Sequence, residues 1–345
     1  ISRAYPPIVG GIENQNYELS QWLPKHAEVR TIANRRGKLF LPVFFPTTLI
    51  RALFLMPRYD VLLLGDGVLA CVGWAIKCCF PKKTVISVVH GLDLTFTSGF
   101  YQRFWVRFFI PSLDGLIAVG NETIRQGVAR SIPEAKFAFI PNGVDTEKHF
   151  GQHERVELGG ILGLDLSGKH VLLTSGRLAK RKGVAWFVRN VMPKLPENIL
   201  YVVAGDGVDR ENIEHARAEA GMIDRVRMLG YVSDEVRDTL LNTCDLFIQP
   251  NIKVEGDIEG FGISVIEAAS CELPVVASAL EGLKDAIKDG ENGRLVETED
   301  ADRYAAVITE LLADPSALDD FRKRVRRYVI DHYSWERVTK LYIDT

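Results

Sequence analysis

Val171-Leu172-Leu173-Thr174 runs directly into Ser175-Gly176-Arg177-Leu178-Ala179-Lys180-Arg181-Lys182-Gly183, and helical periodicity follows over 186–195. A short apolar run without polar alternation reads as a strand covered on both faces. The glycine and the cations mark its carboxyl end and the approach to a helix. The same pattern recurs along the chain. Strand-like runs lie at 61–64, 84–89, 116–119, 137–140, 200–204, 246–248 and 274–277, each followed by Gly, Asn or another polar residue. Helical patterns lie at 121–130, 210–220, 234–242, 262–269 and 301–313. This alternation predicts an α/β protein with parallel sheets joined by right-handed crossovers.

The chain has 345 residues, too many for one compact core. Residues 149–168 are polar and glycine-rich, and they separate Pro141-Asn142-Gly143-Val144-Asp145 from the fresh strand at Val171. The reading is two Rossmann-like domains, 1–150 and 151–330, facing across a cleft, with a last amphipathic helix at 333–343. The longest apolar stretch, 39–56, is interrupted by Pro42, Pro46 and Arg51 and reads as short of a membrane span. No basic-then-apolar leader follows Ile1, so no signal peptide is expected.

The net charge of −3 conceals an asymmetry: residues 1–150 carry 17 Lys and Arg against 11 Asp and Glu, and the remainder carries 25 against 34. A basic first half suits an anionic partner such as a membrane surface, and an ordinary solvated surface is the alternative. No long Lys/Arg run is present, which argues against nucleic acid. The five cysteines form no C-x-x-C pair and fit reduced thiols in a cytoplasmic protein. The stretch 100–110 interleaves aromatics with Arg103 and Arg107; it reads either as a core helix with two outward arginines or as a contact for lipid.

Parallel sheets bind ligands beyond the carboxyl ends of their strands, where most of the notable polar residues fall. Glu259-Gly260-Phe261-Gly262 precedes the helical run that holds Ile263, Ser264 and Glu267. A glycine-rich turn opening a helix offers unbonded amides and the positive end of a dipole, which suits a phosphate. The two carboxylates could accept from sugar hydroxyls. Arg177, Lys180, Arg181 and Lys182 place four cations on one loop, where they can neutralise a departing diphosphate. Gly10 and Gly11 permit a close backbone approach or a tight turn. His90, past the run 84–89, is a candidate hydrogen-bond donor, acid or base.

No Walker A motif occurs, and Gly205-Asp206-Gly207 lacks the third glycine of a nicotinamide fingerprint. Asp300-Ala301-Asp302 has a D-x-D spelling but opens a helix, where carboxylates are favoured anyway. No His/Cys cluster suggests a metal.

Taken together, Glu259-Gly260-Phe261-Gly262 with Glu267, Ser175-Gly176-Arg177-Leu178 with Lys182-Gly183, Pro141-Asn142-Gly143-Val144-Asp145, Leu229-Gly230-Tyr231-Val232 and Asp289-Gly290-Glu291-Asn292-Gly293 resemble the retaining GT-B glycosyltransferases of family four, the glycosyl transferases group 1. The resemblance implies sugar transfer from a UDP-, GDP- or ADP-sugar, with the anomeric configuration kept and with neither metal nor cofactor. It implies that Arg177 and Lys182 hold the diphosphate with the amides of Gly262, Ile263 and Ser264. Glu267 would bind the ribose, Glu259 the donor sugar, the backbone near Tyr231 the base, and Gly207 would border the donor. Gly10, Gly11 and His90 would close over the sugar, and the helix within 331–345 would return to the first domain. The first strand of the family pattern looks truncated at Ile1. A glycan or lipid-linked acceptor at the inner face of a membrane is the expected partner. A GT-B sugar-nucleotide epimerase and a non-catalytic sugar-nucleotide-binding protein remain alternatives.

Overall fold

A computed structural model of the chain describes residues 1–8 and 10–345. The chain divides into two compact units, Ile1–Gly143 with Trp335–Thr345, and Val144–Ser334. Each is a parallel α/β sheet, as the alternation predicts. Residues 144–150, assigned above to the first domain, belong to the second unit. The imidazole of His149 lies 2.7 Å from Asp238 there, and Gly151 N–H donates to Asn242.

The first unit holds a four-stranded sheet in the order β1 (Val61–Leu64), β2 (Thr84–Val89), β3 (Gly115–Ala118), β4 (Phe137–Phe139). At the chain start, Ser2 makes a single parallel bridge to Ala33. Three helices that the sequence reading left out belong to this unit: α1 (Gly11–Trp22), α2 (Leu41–Leu55) and α3 (Ala70–Cys79). Residues 39–56, read above as broken, are helical over nearly their whole length. Pro42 sits in the first turn, where no intrahelical N–H partner exists, so only Pro46 interrupts the ladder. The aromatic stretch forms a π-helical segment, Gln102–Phe109, in which Val106 is buried while Arg103 and Arg107 are exposed. The final helix is Trp335–Asp344; the expected start at 333 is two residues early, because Ser334 is extended and ends the preceding helix Pro315–Tyr333. Trp335, Val338 and Tyr342 pack with Leu19, Val88 and Ile117, so this helix completes the core on one side of the first sheet.

The second unit holds six strands in the order β10-β9-β8-β5-β6-β7. They are β5 (His170–Ser175), β6 (Ile199–Ala204), β7 (Val226–Gly230), β8 (Leu246–Gln249), β9 (Val275–Ser278) and β10 (Arg294–Val296). Alternate residues of β5 and β6 serve opposite faces. Val171, Leu173, Leu200 and Val202 join one core, and Leu172, Tyr201 and Val203 join the other. Chain order reverses at β5, which lies between β6 and β8, and this reversal places a crevice at the carboxyl ends of β5 and β8.

Candidate active site

The loops leaving β5 and β8 meet at that crevice. Residues 180–182 make one 3-10 turn that closes on Gly183, held in the left-handed region at φ 65°. A Cβ there would sit 1.9 Å from the carbonyl oxygen of Pro250, so only glycine lets the two loops touch. The contact is fastened by Ile252 N–H, which donates to the Arg181 carbonyl at 2.9 Å. Gly207, after β6, is likewise constrained, with the Leu178 carbonyl 2.2 Å from where its Cβ would lie.

This closure brings together residues far apart in the chain. The Glu259 carboxylate accepts from Lys182 Nζ at 2.7 Å, Arg181 Nη1 at 3.1 Å and Asn251 Nδ2 at 3.3 Å. Its backbone N–H donates to Glu281 at 2.6 Å. Burial opposes the charge on Glu259, but the adjoining Lys182 and Arg181 overcome that and hold its carboxyl at about 2. Burial lowers the Lys182 ammonium from its ordinary value, with the Arg181 and Arg177 cations acting in the same direction and Glu259 against it.

Gly262, at φ 90°, opens the helix Ile263–Ser270, whose first amides at Ile263 and Ser264 have no carbonyl a turn earlier to receive them. Ser264 Oγ donates to Gln249 Oε1 at 3.3 Å, tying this helix start to the end of β8. Arg177, Lys180 and Tyr231 are exposed. Neither Arg177 nor Glu267 forms an ion pair among the described residues. The structure therefore joins Lys182 to Glu259 directly, although the resemblance had given them separate ligand contacts. Arg181, Asn251 and Gln249 belong to the same cluster. Their signal in the sequence was the cationic run and the polar Gln249-Pro250-Asn251 at a strand end. Asp300 caps the helix Ala301–Ala313 by accepting from Arg303 N–H at 2.9 Å. Among the described residues, no group of three or more His, Cys, Asp or Glu could hold a metal ion.

The first unit gathers a second polar group at the ends of β1 and β2. His90 Nε2 lies 3.0 Å from the Gly65 carbonyl, which can only accept, so Nε2–H donates in that bond. The Asp93 carboxylate accepts from the backbone of His90 at 3.0 Å and of Gly67 at 3.0 Å. Asp66 is fully buried; Arg3 Nε donates to its Oδ1 at 2.9 Å, and its Oδ2 has no partner among the described residues. Burial raises the Asp66 carboxyl, and Arg3 opposes the shift. Arg3, Asp66 and Asp93 were not singled out in the sequence. Gly10 caps α1, and Gly11 is its first residue; Val9 of the same loop lies outside the described residues.

The model of the Glycosyl transferases group 1 family matches residues 164–328, and that of Glycosyltransferase Family 4 matches residues 9–148. Among curated proteins, the chain is 25% identical to a GDP-mannose-dependent alpha-(1-6)-phosphatidylinositol monomannoside mannosyltransferase of Mycolicibacterium smegmatis, covering 97% of this chain and 94% of the relative. It is 28% identical to an alpha-galactosylglucosyldiacylglycerol synthase of Streptococcus pneumoniae, over 77% of this chain and 72% of the relative. Among solved structures, Anabaena Alr3699/HepE in complex with UDP superposes with TM-score 0.79 at 16% identity, covering 99% of this chain and 97% of the other. The apo lipopolysaccharide outer core galactosyltransferase WaaB gives 0.70 at 16% identity, over 99% and 97%. The two family models together take in both parallel sheets and the cationic cluster at the β5–β8 crevice, and the chain belongs to the group 1 glycosyltransferases of GT-B fold.

Proposed function

We propose that this protein transfers a hexose from a nucleoside-diphosphate sugar to a hydroxyl of a glycan or lipid-linked acceptor, with retention at the anomeric carbon and without a metal ion. The observation that carries this reading is the cluster of Lys182, Arg181 and Glu259 beside the Gly262 helix start. It offers cations and amides for phosphates and a fixed carboxylate for sugar hydroxyls. Arg177, exposed and without an ion pair among the described residues, supplies a further guanidinium. In the reaction the bond between the anomeric carbon and the phosphate oxygen breaks, with its electron pair left on the diphosphate. The acceptor oxygen bonds to the same face of that carbon, and its proton passes to the leaving phosphate. Charge builds on the diphosphate as the bond lengthens, and Arg177, Lys182 and the amides of Ile263 and Ser264 stabilise it. Two charge-assisted bonds that tighten in the transition state are worth roughly 1.5–3 kcal/mol each, on the order of 10²–10⁴ in rate. Glu267 serves the ribose and the backbone by Tyr231 the base, with Gly207 bordering the donor; His90, Gly10 and Gly11 serve the transferred sugar.

The names of the relatives above include a phosphatidylinositol monomannoside and a glycosylated diacylglycerol. They support a lipid-linked acceptor and, with it, a peripheral place on a membrane, which we assign to the inner face. The test is a melting panel with UDP-, GDP- and ADP-sugars followed by product analysis with the donor that stabilises. Transferred sugar of unchanged anomeric configuration supports the proposal; a C2 epimer or untouched donor refutes it. Arg177→Ala should lower turnover by about 10² or more and leave the melting temperature unchanged. Wild-type turnover in that variant removes Arg177 from the leaving-group role.

A further inference from the structure

Helix α2 turns an apolar face to water. Its inward stripe, Phe44, Thr48 and Ala52, is buried at four-residue spacing. The opposite stripe is Val43, Ile50 and Phe54, preceded by Leu39, and these side chains are 49%, 54%, 80% and 97% exposed. A helix on the surface of a soluble domain ordinarily carries polar residues there. Pro42, Pro46 and Thr47, also exposed, complete that face, so no charge interrupts it before Arg51.

The charge around this face is predominantly positive. Residues 29–113 contain eleven Lys and Arg against three Asp, of which Asp66 and Asp93 are buried and Asp60 pairs with Lys83. Arg35, Arg36, Lys38, Arg51 and Arg58 lie at the ends and flank of α2, and all are exposed. Helix α3 packs against α2 and also against the π-helical segment Gln102–Phe109. There Trp74 meets Phe108 with ring centroids 5.8 Å apart, Phe100 and Phe104 pair at 4.7 Å, and exposed Arg103 and Arg107 alternate with the rings. Exposed aliphatic and aromatic side chains fringed by cations are complementary to a surface that is apolar beneath an anionic layer.

We propose that α2, assisted by the segment Gln102–Phe109, docks the first unit on an anionic lipid bilayer, with α2 lying in the plane of the interface. The inference rests on the membrane placement read above and names the surface responsible for it. By length and composition Lys38–Arg58 could cross a membrane. Crossing would strip Phe44 and Ala52 from the core they share with Leu64, Val85 and Leu116, so the helix stays attached and offers only its outer stripe.

The experiment is co-sedimentation of the full chain with phosphatidylcholine vesicles and with mixed phosphatidylcholine–phosphatidylglycerol vesicles. The chain should bind the mixed vesicles and not the neutral ones, and added salt should release it. Ile50→Ser/Phe54→Ser should weaken binding at least about 100-fold, and Arg35→Gln/Arg36→Gln about 10-fold or more. Both variants change exposed side chains, so unaltered melting shows that the fold survives. The melting shift with nucleotide sugar, read on the same samples, tests the transferase proposal separately: a normal shift with no vesicle binding overturns the docking surface alone. Equal binding by Ile50→Ser/Phe54→Ser also overturns it. So does resistance of wild type to alkaline extraction, which marks a spanning helix. A dimer broken by Ile50→Ser/Phe54→Ser, with no vesicle binding by wild type, assigns the face to a second copy of the chain and overturns the proposal as well.

Discussion

Replacing Glu259 by Gln removes the one anion that touches Lys182 among the described residues. The three side chains are nearly enclosed, with exposures of 11% for Glu259, 13% for Lys182 and 11% for Arg181. Breaking a buried pair from one side costs about 3–5 kcal/mol, because the remaining charge stays desolvated. Arg181 keeps Asp257 at 3.0 Å, so the lower end of that range, about 3 kcal/mol, applies. For a unit the size of Val144–Ser334 each kcal/mol moves the midpoint by roughly 2–4 °C, which gives a fall of roughly 6–12 °C by calorimetry. A nucleoside diphosphate then discriminates between explanations. If its phosphates sit on Lys182, they supply in the variant the negative charge that Gln lacks, whereas in wild type they compete with Glu259. The ligand should therefore raise the melting temperature more in Glu259→Gln than in wild type, while sugar transfer by the variant falls. At about 100-fold excess over Kd a ligand contributes about 2.7 kcal/mol, which is easily resolved. A variant that melts with wild type would show that the cluster stores no such energy. Equal shifts in both proteins would remove Lys182 from the phosphate site.

Two further outcomes follow from the same cluster. The Glu259 carboxyl is lowered from 4.5 to about 2, so its contribution is present above pH 4.5 and is lost as pH falls toward 2. Acid titration of melting should show about 3 kcal/mol of stability lost across that window in wild type and absent from Glu259→Gln, and superimposable acid profiles would contradict the shift. Gly183→Ala places a methyl 1.9 Å from the Pro250 carbonyl at φ 65°, so the loop 180–182 must move. We expect a loss of more than about 1 kcal/mol in melting together with reduced turnover, and unchanged values in both would show that the loop contact is loose.

All of the first sheet and the interior of the second were legible because such strands are unbroken apolar runs, and β1, β2, β3, β4, β5, β6, β8 and β9 fall where those runs lie. The outer strands of the second sheet were not. Arg227 interrupts β7, and β10 opens on Arg294 with only Leu295 and Val296 after it, so neither is the unbroken apolar run that marks a covered strand. Helix α2 was hidden by two prolines that look like breaks in a linear reading, although Pro42 stands where a helix tolerates one. At the site, residue type and position revealed the chemistry but not the pairing. Four cations on one loop suggest an open anion trap, yet two of them, Arg181 and Lys182, are already neutralised by carboxylates 76 and 77 positions onward. That closure depends on Gly183 meeting Pro250, a contact between loops that no local pattern encodes. Only Arg177 and Lys180 remain outward and unpaired among the described residues, so they are the charges that act on an approaching anion at a distance. Lys182 becomes available only when something as negative as Glu259 arrives beside it. A phosphate meets that condition and a neutral sugar does not, so the buried pair itself favours a charged donor over a free hexose.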